Sequence, residues 1–273
     1  MVSDLHPRRL NEALAAMADP GVIALAGGTD LMVGETETER RFLYLHNVRE
    51  MRGLRETPDH LVIGAATTFT EVLESPLAPP LLKEAVSGVA APAVRNAGTV
   101  GGNVANGSPK ADGALVFMVV DAVLLIASAR GERLLPVADF YLGGKKVDLA
   151  SDELVVEIRL PKSRLAPHYY CKVGGRRALA ISRLSFAGLF RQERGRIRHL
   201  AVAFGAVTDV IFRDRGLESM LVGLEIPEAK KLRPDFLAAY GAALVPTSGR
   251  VSKEYRRSVA LNLLGDFLTV FGV

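Results

Sequence analysis

Cysteine is almost absent from this 273-residue chain, which has only Cys171. A single thiol excludes an internal disulfide bond. It also excludes an iron–sulfur cluster held by this chain alone, because such clusters usually take four protein thiolates. The five histidines are scattered without the spacing of metal ligands, so no catalytic metal site is expected. Any metal centre that works with this chain is therefore expected on another chain.

Long apolar runs and a large excess of one charge are also lacking. The longest apolar run, residues 114–127, is interrupted by Asp121, so a membrane span is not expected. The first residues contain no basic segment followed by an apolar one, so we expect no secretory signal and a cytoplasmic location. The net charge is only +4 and the basic residues are spread along the chain, so nucleic-acid binding is not expected.

Glycine pairs mark the two most informative segments. The first glycine loop, residues 26–31, follows a strand-like apolar run at 22–26. The second glycine loop, residues 99–109, precedes a helix-like run at 114–120. Glycine has no Cβ and adopts positive φ, so either loop can bring backbone N–H groups against an anion such as a dinucleotide pyrophosphate. Neither loop has the G-x-G-x-x-G spacing of a Rossmann fingerprint.

The first part of the chain has the pattern of an α/β unit. Apolar residues at helical spacing predict a helix over residues 10–17, which residues 19–21 end. Further helices are predicted at residues 68–74, 81–89 and 113–120. Strands are predicted at residues 22–26, 42–45, 61–64, 122–127 and 154–160.

The pattern changes after residues 161–167, which combine two prolines with polar residues and indicate a connection between domains. Three consecutive strands are predicted at residues 168–173, 181–191 and 197–207, with a tight turn that indicates an antiparallel hairpin. A last helix begins at the N-cap Ser252, with a predicted apolar face of Tyr255, Val259, Leu263, Phe267 and Val270. The fold class is therefore predicted as α+β, with domains at 1–165 and 166–273.

The two glycine loops belong to a longer set of motifs. These are the segments at residues 26–31, 95–112, 152–161, 172–182 and 254–257. Together they resemble the FAD-binding medium subunit of the molybdenum hydroxylases, the family of xanthine dehydrogenase, carbon monoxide dehydrogenase and aldehyde oxidoreductases. The resemblance covers nearly the whole chain, and the second glycine loop is more similar to the xanthine dehydrogenase branch.

The resemblance implies a two-subdomain FAD-binding fold of the vanillyl-alcohol-oxidase type, with subdomains at about 1–55 and 56–165. A C-terminal α+β domain with a three-stranded antiparallel sheet is implied to follow. It also implies one FAD on this chain and two partners, an iron–sulfur subunit with 2Fe-2S clusters and a molybdenum-cofactor subunit, assembled as a dimer of heterotrimers. Electrons then pass from the clusters through FAD to NAD, a quinone or oxygen, between which the sequence does not decide.

The same resemblance implies which residues contact FAD. The first glycine loop lines the pyrophosphate, and the second wraps the flavin and the diphosphate. Asp112 accepts from FAD hydroxyls, Leu149 packs on the flavin ring and Lys172 lies beside that ring. The full set is Ala26, Gly27, Gly28, Thr29, Asp30, Leu31, Thr99, Gly101, Gly102, Asn103, Asp112, Leu149 and Lys172. Neither a catalytic acid or base nor a metal ligand is expected on this chain.

Each of these residues also has an ordinary structural interpretation. A Gly-Gly-Thr-Asp sequence occurs where a strand turns into a helix. Asp112 suits the first turn of a helix, where the dipole favours a carboxylate. Most lysines on strands, as Lys172 is predicted to be, are solvated, and Leu149 is as typical of a core as of a binding site. The pair of loops favours FAD, because a large dinucleotide needs two backbone cradles.

Two other functions share part of the pattern. One is a stand-alone FAD-dependent oxidoreductase on the same fold, similar to the reductase of peptidoglycan precursor synthesis, for which the sequence offers no convincing substrate site or proton donor. The other is an assembly subunit that has lost FAD. The two intact glycine loops argue against the second alternative.

Overall fold

The computed structural model describes residues 4–33, 41–176 and 179–273. Within these ranges the strands are β1 (Val22–Leu25), β2 (Arg41–Tyr44), β3 (Leu54–Glu56), β4 (His60–Gly64), β5 (Val123–Ser128), β6 (Gly131–Pro136), β7 (Tyr141–Gly143), β8 (Lys146–Val147), β9 (Leu154–Pro161), β10 (His168–Val173), β11 (Leu184–Glu193) and β12 (Arg196–Gly205). The α-helices of the same ranges are α1 (Leu10–Met17), α2 (Phe69–Glu74), α3 (Pro80–Ser87), α4 (Pro92–Ala97), α5 (Val100–Ala105), α6 (Asp112–Val119), α7 (Val137–Phe140), α8 (Arg215–Glu218), α9 (Ile226–Ala243) and α10 (Lys253–Val270).

A small parallel sheet of β1 and β2 begins the fold. Helix α1 buries Ala13 and Met17, and the Glu12 side chain accepts from the backbone N–H groups just before the helix. The chain then turns at Asp19, whose carboxylate accepts from the N–H of Gly21 at 2.9 Å. This confirms the predicted helix and strands, and it places the first glycine loop directly after β1.

A five-stranded antiparallel sheet follows, with the strand order β3-β4-β9-β5-β6. Its central strand β9 is buried along most of its length, as expected for an apolar run between two neighbours. The sequence predicted β4, β5 and β9 but not β3 and β6, which lie at the two edges. The outer strand β6 alternates exposed and half-buried residues, so its apolar signal is weak.

The second glycine loop is partly helical, which the sequence did not predict. Thr99 is the N-cap of α5, and its hydroxyl accepts from the N–H of Gly102. Two adjacent glycines argue against a helix because each costs about 1 kcal/mol relative to alanine. Here the loss is offset by close packing, since a Cβ on Gly101 would lie 2.5 Å from the Cβ of Ala65.

Helix α6 lies at the centre of the molecule, and all eight of its residues are buried. Apart from Asp112 at its start, it is apolar on every side, which is typical of a helix surrounded by other elements. It contacts α3 and α5 on one side and β11 and β12 on the other. Its buried residues belong to one core cluster with Ala187 and Leu189 of β11 and Ala201 and Ala203 of β12.

The C-terminal part contains the predicted three-stranded antiparallel sheet, in the order β10-β11-β12. The turn between β11 and β12 has positive φ at Arg194 (50°) and Gly195 (77°), as tight hairpins require. Strand β11 begins at Leu184, three residues later than predicted, and Ile181 is exposed. The outer face of this sheet forms a second core cluster with α9 and α10.

Helix α10 begins as predicted, with the Ser252 hydroxyl accepting from the N–H of Tyr255 at 3.1 Å. The predicted apolar face is wrong at both ends, because Tyr255 and Val270 are exposed. Successive steps of four residues advance about 40° beyond a full turn, so Tyr255 lies about 120° from Phe267 on the helix surface. The buried face consists of Arg256, Ala260, Leu263, Leu264, Phe267 and Leu268.

Arg213 connects the C-terminal part of the chain to the end of α6 through hydrogen bonds. Its guanidinium donates to the carbonyl oxygen of Met118 at 2.7 Å, to the Asp121 carboxylate at 2.7 Å and to the Glu218 carboxylate at 2.8 Å. The Arg213 side chain is only 5% exposed. Across the described ranges, no helix has the length and apolar character needed to span a membrane.

Candidate functional site

The first glycine loop presents a row of backbone donors. Within the part of the chain that the structure describes, the N–H groups of residues 27–31 form no hydrogen bond. The side chains of Thr29 and Asp30 are exposed and also form none there. Five successive free N–H groups on a glycine-containing turn are suited to the oxygens of an anion.

Gly27 and Gly28 are glycines for different reasons. A Cβ on Gly27 would lie only 1.9 Å from the carbonyl oxygen of Ala97, at the end of α4. Gly28 has a φ of +67°, a left-handed conformation that glycine adopts without strain. Because Gly27 rests on Ala97, the first glycine loop lies directly beside Thr99, where the second glycine loop begins.

The second glycine loop differs, because its N–H groups already have partners. Those of Val100 and Gly101 donate to the carbonyl oxygens of Thr67 and Ala65 at 3.0 and 2.8 Å, and that of Gly102 donates to the Thr99 hydroxyl at 3.1 Å. The expectation of bare N–H groups is therefore not met at these three residues. Gly101 is buried against Ala65, whereas Gly102 is exposed.

A cavity of about 110 Å³ joins the two loops. Ala26 of the first loop and Gly101 and Gly102 of the second line it, together with Leu149 and residues at the ends of β4 and β9. Leu149 also packs against the main core cluster, so the same side chain is part of the core packing and of the cavity wall. The structure thus brings four of the predicted site residues around one space.

Asn103 links α5 to α6. Its Oδ1 accepts from the N–H of Ala114, in the first turn of α6, at 3.1 Å. A Cβ on Gly113 would lie 2.7 Å from that same oxygen, so the contact is close. This bond supports the position of α6, and a contact of Asn103 with FAD remains a prediction.

The carboxylate of Asp112 is the centre of a buried polar cluster. It accepts from Lys172 Nζ at 2.7 Å on Oδ2 and from Ser182 Oγ at 2.9 Å on Oδ1. Lys172 Nζ also donates to the carbonyl oxygen of Gly88 at 2.8 Å. The side chains of Asp112 and Lys172 are 5% and 15% exposed, so Lys172 is not a solvated strand lysine. We call Asp112, Lys172 and Ser182 the Asp112 cluster.

A larger cavity, of about 490 Å³, lies beside the Asp112 cluster. Lys172 and Tyr170, which point to the same face of β10, line it together with Gly88, Arg95 and Arg176. The Tyr170 hydroxyl is buried and has no hydrogen-bond partner among the described residues. Burial, together with the nearby Asp112 charge, raises the pKa of Tyr170, so this residue stays a neutral phenol.

Two arginines shape the rim of the larger cavity. Arg95 donates to the carbonyl oxygens of Val89 and Ala90 at 2.7 and 2.8 Å. Arg176 donates to the carbonyl oxygen of Leu179 at 2.6 Å, where the backbone has a φ of +54°. The neighbouring residues 177 and 178 lie outside the described residues.

Comparison with known protein families decides what this arrangement is. The profile of the FAD-binding domain in molybdopterin dehydrogenase matches residues 2–163. The profile of the carbon monoxide dehydrogenase flavoprotein C-terminal domain matches residues 169–270. The chain belongs to the family of FAD-binding subunits of molybdenum hydroxylases. It is thus a flavoprotein component of an oxidoreductase.

Individual relatives agree with this family assignment. The xanthine dehydrogenase FAD-binding subunit of Escherichia coli O157:H7 is 33% identical over 263 residues, which cover 90% of this chain and 88% of that subunit. The carbon monoxide dehydrogenase medium chain of Hydrogenophaga pseudoflava is 30% identical over 225 residues, or 80% of this chain and 78% of that one. Both comparisons extend over most of the two chains.

Solved structures show the same fold. Carbon monoxide dehydrogenase from Hydrogenophaga pseudoflava, in a form that lacks the Mo-pyranopterin moiety of its molybdenum cofactor, matches with a TM-score of 0.89 at 27% identity, over 98% of this chain and 96% of that one. Quinoline 2-oxidoreductase from Pseudomonas putida 86 matches with a TM-score of 0.88 at 25% identity, over the same shares. The predicted family and fold class are therefore confirmed.

The residues of this chain fit FAD. The N–H groups of residues 27–31, which bond to none of the described residues, suit a diphosphate, and the adjoining cavity wall at Leu149 suits an apolar ring surface. A lysine held at the edge of the larger cavity supplies a positive charge. The donors suited to the central diphosphate of FAD thus lie next to an apolar wall suited to one of its two aromatic ends.

The sequence alone predicted no role for Ser182, Gly88 or Tyr170. Ser182 lies 70 residues from Asp112 and Gly88 lies 84 residues from Lys172, so neither contact has a local signal. Gly88 contributes only a backbone carbonyl, which no side-chain pattern reveals. Ser182 is the last residue of the motif at 172–182, and membership of that motif is the signal by which a role for it could have been found.

Proposed function

We propose that this chain is the electron-transfer subunit of a molybdenum hydroxylase. In this proposal, FAD lies along the two glycine loops and the Asp112 cluster, and it receives electrons from 2Fe-2S clusters on a partner subunit. The proposal rests on the N–H groups of residues 27–31, which have no hydrogen-bond partner in the described part of the chain and lie beside the second glycine loop through the contact of Gly27 with Ala97.

In this proposal, different residues contact different parts of FAD. The N–H groups of the first glycine loop bind the diphosphate, and the exposed Gly102 lets that group approach α5 closely. Leu149 packs on the ring, and the Lys172 ammonium stabilises the negative charge that FAD gains on reduction. When bound, FAD supplies both one-electron and hydride chemistry, so this chain needs no acid or base of its own.

The partners follow from what this chain lacks. With one thiol, Cys171, the chain cannot hold a 2Fe-2S cluster by itself. We therefore place the clusters on an iron–sulfur subunit and the molybdenum cofactor on a third subunit, in a cytoplasmic dimer of heterotrimers. The terminal acceptor is NAD, a quinone or oxygen.

We also propose the xanthine dehydrogenase branch and a division of the chain into 1–165 and 166–273. The second glycine loop and the 33% identity to the Escherichia coli subunit support the branch. The division is supported by the end of β9 at Pro161 and the start of β10 at His168, and by the limits of the two family profiles at residues 163 and 169.

Purification of the tagged chain from its native cells tests the proposed function. We expect two other chains to co-purify, one with iron and one with molybdenum, and a visible spectrum of bound flavin. The isolated chain should bind FAD but show little turnover, and the purified complex should oxidise a purine rather than carbon monoxide. An isolated chain that oxidises an organic substrate at roughly 1 per second or more would instead establish a stand-alone flavoenzyme.

A further inference from the structure

A buried hydroxyl supports the carboxylate that holds Lys172. Ser182 Oγ donates to one oxygen of Asp112 at 2.9 Å while Lys172 Nζ donates to the other at 2.7 Å. Ser182 is only 3% exposed, so water cannot readily take the place of its hydroxyl. Each Asp112 oxygen thus has its own donor, and the orientation of the carboxylate is fixed from both sides.

We infer that Ser182 is a positioning residue that raises the reduction potential of FAD through Asp112 and Lys172. The inference rests on the proposed function, in which Lys172 lies beside the flavin. The Ser182 hydroxyl offsets part of the negative charge of Asp112, and it holds that carboxylate where the lysine ammonium meets it. In a buried site electrostatic interactions are weakly screened by solvent. Loss of a hydrogen bond therefore changes the electrostatic potential at neighbouring charged groups.

The direction of the effect follows from the charges. Without the Ser182 hydroxyl, Asp112 keeps its full charge with one donor fewer, so its negative potential at the flavin is larger. Because FAD gains negative charge on reduction, its reduction potential then falls. Replacing Lys172 with methionine removes a whole positive charge, so that change lowers the potential further than the loss of one neutral hydrogen bond does.

Ser185 offers a matched control. It lies three residues further along the chain, and it is paired with Lys172 in the β10–β11 ladder. Its hydroxyl is buried too, but it has no hydrogen-bond partner among the described residues. Ser182→Ala therefore removes a buried hydroxyl together with its bond to Asp112, whereas Ser185→Ala removes a buried hydroxyl without loss of such a bond.

The test is a redox titration of the FAD-loaded full chain. We expect the potential to fall in Ser182→Ala, to fall further in Lys172→Met, and to stay at the wild-type value in Ser185→Ala and Ser182→Thr. An unchanged potential in Ser182→Ala, or an equal fall in Ser185→Ala, would overturn the inference. Should Ser182→Ala not retain FAD, Ser182→Cys replaces it, because its thiol is a similar size but a weaker donor, and its potential must lie below wild type.

A second arm asks whether Ser182 acts through Asp112. In an Asp112→Asn background, Ser182→Ala should cause no further shift, whereas a shift as large as in the wild-type background contradicts the inference. Failure of the wild-type chain to bind FAD would refute the proposed function together with the inference. Bound FAD with a lowered potential in Lys172→Met but not in Ser182→Ala would refute the inference alone.

Discussion

The ammonium of Lys172 on β10 and the carboxylate of Asp112 on α6 form a buried ion pair with an N–O distance of 2.7 Å. The pair joins the three-stranded sheet to the helix that follows the second glycine loop. Both residues were predicted as separate contacts of FAD. The structure shows that they also bind each other, so a change at either one alters the surroundings of its partner.

Lys172→Met should leave FAD bound but lower its reduction potential, because the positive charge beside the flavin is lost. It should also lower the free energy of unfolding by about 3 kcal/mol, since Asp112 keeps a buried charge without its ionic partner. Redox titration and chemical denaturation measure the two effects. Lys146→Met, at an exposed lysine of β8, is the control and should change neither quantity.

Gly101→Val and Gly102→Val should behave differently. A side chain at Gly101 collides with Ala65, so Gly101→Val should destabilise the fold by about 1–3 kcal/mol through overpacking. Gly102 is exposed, and a Cβ there would meet only the Thr99 hydroxyl at 3.0 Å, so Gly102→Val should keep the fold and lose FAD. Thermal unfolding and FAD titration separate the two outcomes. Full FAD binding by a folded Gly102→Val chain would show that the diphosphate does not approach α5 at this point.

Arg213→Met should destabilise the chain by about 3–5 kcal/mol, because it leaves the buried Glu218 carboxylate without this arginine and removes one of the arginines that contact the half-buried Asp121. Arg215 contacts the same Asp121 carboxylate but its side chain is 60% exposed. Arg215→Met should therefore cost less than about 1 kcal/mol. Equal losses in urea denaturation would show that burial of the arginine does not determine its contribution to stability.

His199 should make the chain sensitive to mild acid. Burial, with help from the positive charges of Arg164, Arg191 and Arg213, lowers the pKa of His199 from 6.5 to about 4. A lowered folded-state pKa means that protonation favours the unfolded chain, so stability is full above pH 6.5 and is lost as the pH falls towards 4. The loss attributable to this group reaches about 3 kcal/mol.

Comparison of His199→Gln with wild type isolates this contribution, because glutamine does not titrate. The difference in unfolding free energy between the two proteins should change across pH 6.5 to 4 and be constant above pH 7. His46→Gln, at an exposed histidine, is the control. A constant difference over the whole pH range would disprove the role given to His199.

The sequence predicted those parts of the fold that depend on interactions between residues close together in the chain. The start of α2 next to Thr68, the apolar run of β9 and the hairpin turn at Arg194 depend on residues within a few positions, and each lies as predicted or within one residue. Helix α5 was missed because its glycines are poor helix formers whose value lies in a contact with Ala65, 36 residues earlier in the chain.

The candidate site shows the same limit. The motif at 26–31 identified the free donors of the first glycine loop, since a glycine-containing turn after a strand has a local signature. The pairing of Lys172 with Asp112, and the support from Ser182, depend on how β10 is placed against α6. That placement depends on packing between residues far apart in the chain, so it could not be predicted from the spacing of residues in the sequence.

The complete burial of α6 makes the two proposed domains depend on each other for folding. The helix needs α3 and α5 on one side and β11 and β12 on the other to cover its apolar surface. A fragment cut anywhere between Pro161 and His168 would expose that surface to water, so neither piece should persist alone. The backbone amide protons of α6 should accordingly exchange with solvent only when the whole molecule opens, as the slowest reporters in the protein.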